Sequence, residues 1–163
     1  MNIHASHTPA QDAGKHINDL LETCREHDVL LLLSGGSSSD VVEELNTELF
    51  GMRTTVSLID ERYVFAEKGS NMAELERTQW FQDVRKRGAG LIDPRPIEGE
   101  ALSASASRFE NSLREWRDAH PEGIMIALLG IGVDGHTAGI LPMQKDEENF
   151  QRMFVDTSSW AVG

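Results

Sequence analysis

The segment GVDGHTAG, residues 132–139, places an aspartate and a histidine two positions apart among small residues. An imidazole with a pKa near ~6.5 can accept and return protons at neutral pH. Asp134 could orient the ring of His136 or raise its basicity, and the glycines leave room for a substrate to approach. The alternative is a turn at Asp134 in which His136 caps a helix. We expect His136 and Asp134 to be catalytic residues.

A second polar segment, SGGSSSD at 34–40, follows the apolar run VLLLL. Gly35 and Gly36 would let the backbone approach a ligand, while Ser37 and Ser38 offer hydroxyl groups. A helix starting near this point would aim free N–H groups at a phosphate. The segment lacks the lysine of the common nucleotide-binding loop, and a tight strand–helix turn with a serine cap is the alternative. From these residues alone both interpretations, a phosphate-binding loop and a structural turn, stay open.

A third polar segment, DERYV at 60–64, follows the apolar run TTVSLI. Asp60 could act as a base or orient one, and Arg62 could contact a phosphate with two N–H groups. The alternative is a solvated ion pair between Glu61 and Arg62 or a neighbour. Taken alone the triplet is more typical of a solvated surface, and Asp60 and Arg62 are candidate site residues because they follow a predicted strand.

The surrounding pattern alternates short apolar runs with helical periodicity, which is typical of an α/β fold. The run at 124–129 predicts a buried strand. We predict one domain over residues 1–163, a three-layer sandwich with a mainly parallel, Rossmann-like central sheet. All three polar segments then lie at the carboxyl edge of that sheet, where ligands bind. Predicted strands are 29–33, 54–59, 124–129, a short strand within 90–100 and 152–157; predicted helices are 10–26, 40–51, 70–88 and 102–116.

The overall composition is that of an ordinary soluble protein. The formal net charge of −12 opposes nucleic-acid binding, although a local phosphate site remains compatible with it. No apolar run reaches the roughly 20 residues of a membrane helix, and residues 1–16 lack an apolar signal core. Cys24 is the single cysteine, which fits a reducing cytoplasm. The scattered histidines and the single cysteine give no ligand spacing for zinc, and without a G-x-S-x-G motif a serine-hydrolase triad has little support.

Three segments together resemble the glucosamine-6-phosphate isomerase/6-phosphogluconolactonase superfamily. They are LLLSGGSSSD, LIDERYV with Ser70 and Asn71 following, and LLGIGVDGHTAGILP. The resemblance extends from about Lys15 to the end of the chain, and it is carried by the order and spacing of the three segments. Each segment alone would be a weak signal.

Within that superfamily the residues resemble the lactonase branch. The isomerase/deaminase branch typically has DEY where this chain has Asp60, Glu61 and Arg62. It also has an FNEP-like segment with a glutamate, where residues 139–142 read GILP and offer no carboxylate. Gly139 stands where lactonases usually have serine, which should alter only a contact at the rim of the site.

The resemblance implies hydrolysis of 6-phosphoglucono-δ-lactone to 6-phosphogluconate in the pentose phosphate pathway, without metal or cofactor. His136 would be the general base that activates water, supported by the carboxylates of Asp134 and Asp60. Asn71 would contact a sugar hydroxyl. The residues implied in substrate and phosphate binding are Gly35, Gly36, Ser37, Ser38, Arg62 and Asn71.

Family members continue past the point where this sequence stops, so the resemblance implies that a C-terminal strand and helix are missing. We expect a monomer or a homodimer in the cytoplasm, with no nucleic-acid or membrane partner. Two alternatives stay open. One is an amino-sugar phosphate isomerase/deaminase, and the other is a sugar-phosphate-binding domain without turnover.

Overall fold

A computed structural model describes residues 3–133, 135–138 and 140. Asp134, Gly139 and the predicted strand at 152–157 lie outside the described residues. For Ser37 the backbone is described and the side chain is not. The predicted fold can be compared with the structure over the remaining elements.

The described part of the sheet consists of four parallel strands in the order β3-β2-β1-β4. The run VLLLL forms the central strand, and all five of its residues are buried. In the register, Leu31 lies between Val56 on one side and Ile126 on the other. The strands are β1 (Val29–Leu33), β2 (Thr54–Leu58), β3 (Gly90–Leu91) and β4 (Ile124–Ala127).

Helices cover both faces of this sheet, so the predicted three-layer α/β sandwich is confirmed. The side chains of Leu31 and Leu33 pack into a core shared with helices α1 to α4, whereas Leu30 and Leu32 pack on α5. None of the described helices is long and apolar enough to cross a membrane. The helices are α1 (Pro9–Thr23), α2 (Ser39–Glu43), α3 (Asn71–Glu76), α4 (Gln79–Lys86) and α5 (Leu102–Ala119), with 3₁₀ turns at Gly36–Ser38 and Thr47–Leu49.

The prediction of one helix over 40–51 is wrong, because α2 ends at Glu43. Asn18 on α1 donates to the carbonyl of Glu44 at 2.9 Å and accepts from the N–H of Asn46 at 2.9 Å. The Asn46 side chain then accepts from the N–H of Glu48 at 3.0 Å and starts a 3₁₀ turn. These bonds satisfy the backbone outside an α-helix.

The prediction of one helix over 70–88 is wrong for a similar reason. The chain leaves helical geometry at Thr78, whose hydroxyl accepts from the N–H of Phe81 at 3.1 Å and caps α4. The apolar side chains of both pieces still pack on the same core, which explains why the periodicity runs through the break.

The run at 124–129 forms a shorter and less buried strand than its composition predicts. β4 ends at Ala127 and alternates between half-buried and exposed residues, and Met125 is exposed. It is an edge of the described sheet, bonded to β1 on one side. The prediction of a strand here is confirmed, and the prediction that it is buried is wrong.

Candidate active site

A cavity of about 190 Å³ opens at the carboxyl edge of the sheet, where the segments after β1, β2 and β4 meet. The parallel strands place these segments together, as the order of elements predicted. Of the residues predicted from the sequence, those that line the cavity are Gly35, Gly36, Ser38, Asp60, Arg62, Asn71 and His136.

The segment after β1 contributes the backbone of two glycines, Gly35 and Gly36, to the wall of the cavity. Gly36 has φ +67°, which permits a turn that side-chain-bearing residues rarely adopt. Gly35 allows a close approach instead, because a Cβ atom there would lie 2.5 Å from Cγ of Asn71. The glycine pair therefore shapes the turn and makes room for Asn71 at the cavity.

The segments after β1 and β4 fit closely against each other. A Cβ atom on Gly130 would lie 2.9 Å from the hydroxyl oxygen of Ser38 and 3.5 Å from that of Ser34. Ser38 is buried under this contact. Its position depends on the absence of a side chain at Gly130, so the predicted Ser38 contributes to the wall of the site.

The segment after β2 is tied to the start of α3 by Glu61, a residue for which the sequence suggested only an alternative ion pair at the surface. Among the described residues, three backbone N–H groups donate to the Glu61 carboxylate, those of Arg62 at 2.7 Å, Asn71 at 2.8 Å and Met72 at 2.8 Å. It also accepts the hydroxyl hydrogen of Ser70 at 3.0 Å. Ser70 is the N-cap of α3. A serine at this position signals a helix start in the sequence, but nothing in the sequence links that start to Glu61.

Asp60 is a half-buried carboxylate on the cavity wall, close enough to interact with the charges of Arg62 and His136. Burial raises the pKa of Asp60 above its ordinary value of 3.8, and the charge of Glu61 raises it further. Arg62 and His136 oppose that rise. The structure therefore brings Asp60, Arg62 and His136 into one electrostatic neighbourhood.

The segment after β4 curls so that His136 faces the cavity. The N–H of Gly132 donates to the carbonyl of His136 at 2.8 Å, and the N–H of Gly135 donates to the carbonyl of Gly132 at 2.9 Å. Gly135 has φ +86°, so this glycine is required by the backbone as well as by access to the ring. The hydroxyl of Thr137 donates to the carbonyl of Gly130 at 2.7 Å and closes the curl.

Two of the predicted site residues have no described side chain. Ser37 lies in the 3₁₀ turn beside the cavity, and Asp134 lies outside the described residues. Within the described part of the chain, no three histidine, cysteine or carboxylate side chains come together as a metal site.

A parallel sheet covered on both faces, with a polar cavity at its carboxyl edge, defines an α/β protein built to hold a small ligand. Comparison with known families makes this specific. The model of the family described as glucosamine-6-phosphate isomerases/6-phosphogluconolactonase matches residues 5–161, and the chain belongs to that family.

Curated relatives are named 6-phosphogluconolactonase. The protein from Pseudomonas aeruginosa is 34% identical over 137 residues, which cover 82% of this chain and 53% of that protein. The protein from Helicobacter pylori is 27% identical over 133 residues, covering 77% of this chain and 55% of the relative. The chain thus spans about half the length of these relatives.

Solved structures agree on the fold. The 6-phosphogluconolactonase from Plasmodium vivax superposes with a TM-score of 0.62 at 19% identity, covering 82% of this chain and 48% of that one. The 6-phosphogluconolactonase from Thermotoga maritima gives a TM-score of 0.60 at 22% identity, covering 83% and 62%. At these identities the similarity shows the α/β fold.

Proposed function

We propose that the chain hydrolyses 6-phosphoglucono-δ-lactone to 6-phosphogluconate. The observation that carries this proposal is the meeting of His136, Asp60 and Arg62 at one cavity at the carboxyl edge of the sheet. A lactone hydrolase needs a base for water and a cation for the phosphate, and these side chains supply both. Family membership and the names of the curated relatives support the same reaction.

In the proposed reaction His136 acts as general base and then as general acid. The imidazole takes a proton from water while the water oxygen bonds to the lactone carbonyl carbon. The bond between that carbon and the ring oxygen then breaks, and the imidazolium returns its proton to the departing oxygen. The products are a hydroxyl group and a carboxylic acid, which ionises. No oxidant or cofactor enters this balance.

Two carboxylates are proposed to assist the imidazole. Asp60 interacts favourably with protonated His136, so its negative charge would stabilise the imidazolium that forms during attack. Asp134 stands two positions before His136 in the sequence, and its role stays a proposal from the sequence alone. The partial burial of Asp60 strengthens its effect, because water screens the interaction less there.

Substrate binding is proposed to use other residues that line the same cavity. Arg62 would hold the phosphate with paired N–H groups, next to the backbone of Gly35 and Gly36. Ser37 and Ser38 would support this loop, and the amide of Asn71 would contact a sugar hydroxyl.

The wider setting also stays a proposal. We infer a cytoplasmic enzyme of the pentose phosphate pathway that acts as a monomer or homodimer and has no nucleic-acid partner. The net charge of −12 and the single cysteine support this setting.

A hydrolysis assay on freshly generated 6-phosphoglucono-δ-lactone tests the proposal, with spontaneous ring opening subtracted. His136→Ala should reduce kcat by roughly 10²–10⁴-fold, the usual contribution of a positioned base. The matched control is His16→Ala, because His16 is an exposed histidine on α1. Equal turnover in the two variants would remove His136 from the mechanism.

The same proteins separate the two alternatives. Conversion of glucosamine 6-phosphate with no lactone hydrolysis would favour the isomerase/deaminase reading. Binding of 6-phosphogluconate with no turnover of either substrate would favour a binding domain.

A further inference from the structure

We propose that Glu61 is a positioning residue, whose carboxylate holds Arg62 and Asn71 in place for binding the sugar phosphate. This inference rests on the proposed function. Asp60 and Arg62, the residues before and after Glu61, line the cavity. The carboxylate of Glu61 itself bonds to the start of α3.

The contacts divide evenly between the two carboxylate oxygens. Oε1 accepts from the N–H groups of Arg62 and Asn71, at 2.7 and 2.8 Å. Oε2 accepts from the hydroxyl of Ser70 at 3.0 Å and from the N–H of Met72 at 2.8 Å. Each oxygen therefore serves at least one backbone group at the start of α3, and a carboxylate suits this task because it only accepts hydrogen bonds.

These bonds close the loop between β2 and α3. Residues 65–69 are exposed, so the loop itself contributes little packing to hold its ends together. The side chain of Glu61 joins the two ends of the loop by accepting hydrogen bonds from backbone N–H groups. These bonds fix where the chain enters and leaves the loop. Without them the loop would sample many positions at little energetic cost.

The fixed ends carry the two residues proposed to bind the substrate. Asn71 donates from its side chain to the carbonyl of Asp60 at 3.3 Å and lies against Gly35. Arg62 follows Glu61 directly, and its backbone N–H is one of the bonded groups. A shift at Glu61 would therefore move both binding residues relative to the segment after β1.

The charge of Glu61 is also consistent with this role. A bare carboxylate beside a phosphate-binding arginine would repel the anion. Here three N–H groups and a hydroxyl donate to it, so hydrogen bonds partly neutralise its negative charge. If Glu61 were only a structural helix cap, its replacement would change the stability of the protein and leave the affinity for substrate unchanged.

The test compares Glu61→Gln and Glu61→Ala with the wild type, and uses Glu67→Ala as control. Glu67 lies in the same loop, is 83% exposed at its side chain and pairs with Arg77 on the surface. Glutamine keeps one acceptor oxygen and loses the other, whereas alanine loses both. We expect KM to rise about tenfold in Glu61→Ala and about threefold in Glu61→Gln, with kcat within about twofold.

A second experiment measures the hydrogen bonds of Glu61 directly. Hydrogen exchange at the amides of Asn71 and Met72 should be faster in both Glu61 variants and unchanged in Glu67→Ala. The affinity for 6-phosphogluconate, measured by calorimetry, should fall in parallel with the rise in KM. Because glutamine keeps the size of the side chain, Glu61→Gln preserves the test if Glu61→Ala does not fold.

Failure of this inference is distinct from failure of the proposed function. Unchanged KM and product affinity in a folded Glu61→Gln protein with faster amide exchange would show a structural cap and overturn the inference. An inactive wild type that does not bind 6-phosphogluconate would overturn the proposed function, and the positioning role with it.

Discussion

The loops after β2 and β4 reach the same cavity but are held in different ways. The loop after β2 is fixed by a side chain, since Glu61 bonds to groups at both ends of it. The loop after β4 is fixed mainly by its own backbone, through the bond between Gly132 and His136 and a positive φ at Gly135.

The difference indicates a division of work between the two loops. Arg62 in the β2 loop and Asn71 at its end are proposed to bind substrate, whereas His136 in the β4 loop is the proposed base. Damage to the contacts that hold Arg62 and Asn71 should therefore appear mainly in KM, and damage to the β4 loop, or to Asp60 beside the base, mainly in kcat.

Among the variants that test this comparison, Gly135→Ala is expected to have the largest effect on activity. Alanine at φ +86° costs about 1–3 kcal/mol, and the chain can relieve that strain by turning His136 out of position. We expect kcat to fall roughly 5- to 100-fold with little change in KM. Steady-state kinetics on the lactone measure both quantities.

The control for that variant is Ala138→Gly in the same loop. Ala138 already has φ +50°, a value that glycine adopts at least as easily, so activity should stay within about twofold. A large loss of kcat in this control, or none in Gly135→Ala, would contradict backbone control of the β4 loop.

A smaller effect is expected from Gly35→Ala, on the binding side. The added Cβ would lie 2.5 Å from Cγ of Asn71, which forces the amide away from the cavity. Overpacking of this kind costs about 1–3 kcal/mol, and we expect KM to rise about five- to tenfold with kcat nearly unchanged.

Gly51→Ala is the matched control, because a Cβ at Gly51 would meet its nearest atom, the carbonyl oxygen of Arg87, only at 3.8 Å. Its kinetics should equal those of the wild type. A fall in kcat without a rise in KM in Gly35→Ala would contradict the proposed division between the loops.

Thr137→Val should have a still smaller effect. It removes the 2.7 Å bond from the hydroxyl to the carbonyl of Gly130 while keeping the side-chain shape. A bond of this kind contributes about 0.5–1.5 kcal/mol, so kcat should fall about two- to tenfold. Thr137→Ser keeps the hydroxyl and should remain close to wild type. Equal kcat in both variants would show that this bond does not position His136.

The smallest effect is expected in the pH dependence of the protein's stability, which depends in part on the titration of Asp60. Burial raises the pKa of Asp60 above 3.8, so the folded state holds the proton more tightly than the unfolded state. The contribution of Asp60 to stability is therefore present at low pH and is lost as the pH rises through the raised value.

Asp60→Asn should accordingly become more stable relative to wild type as the pH rises from about 4 to 7. Urea unfolding over that range measures the difference, and Asp118→Asn controls for the loss of an exposed carboxylate on α5. A difference that shrinks with rising pH would mean that the charges of Arg62 and His136 outweigh the burial of Asp60. Turnover should fall in Asp60→Asn at every pH, since its charge is proposed to stabilise the imidazolium.

Much of the fold was predictable because its signals are local. VLLLL reads as a buried strand without reference to any other residue, and α5 follows from regularly spaced apolar residues. The breaks at Glu44 and Thr78 were not predictable, because hydrogen bonds to side chains end the helices while the apolar periodicity continues.

The site was predictable in part for the same reason. Gly35, Asp60 and His136 could be placed at one edge because each follows a strand of a parallel sheet. The role of Glu61 could not be foreseen, since its partners at the start of α3 are brought to it by the packing of that helix.

The sequence by itself determined the order of strands and helices, the layered α/β architecture and the edge at which chemistry-bearing residues collect. These depend on hydrophobic periodicity and on the direction of parallel strands. The tertiary structure alone decided that Asn71 lies against Gly35, that Gly130 lies against Ser38, and that Glu61 bonds to the start of α3. Such contacts join residues far apart in the chain, and they are set by the twist of the sheet and the packing of its helices.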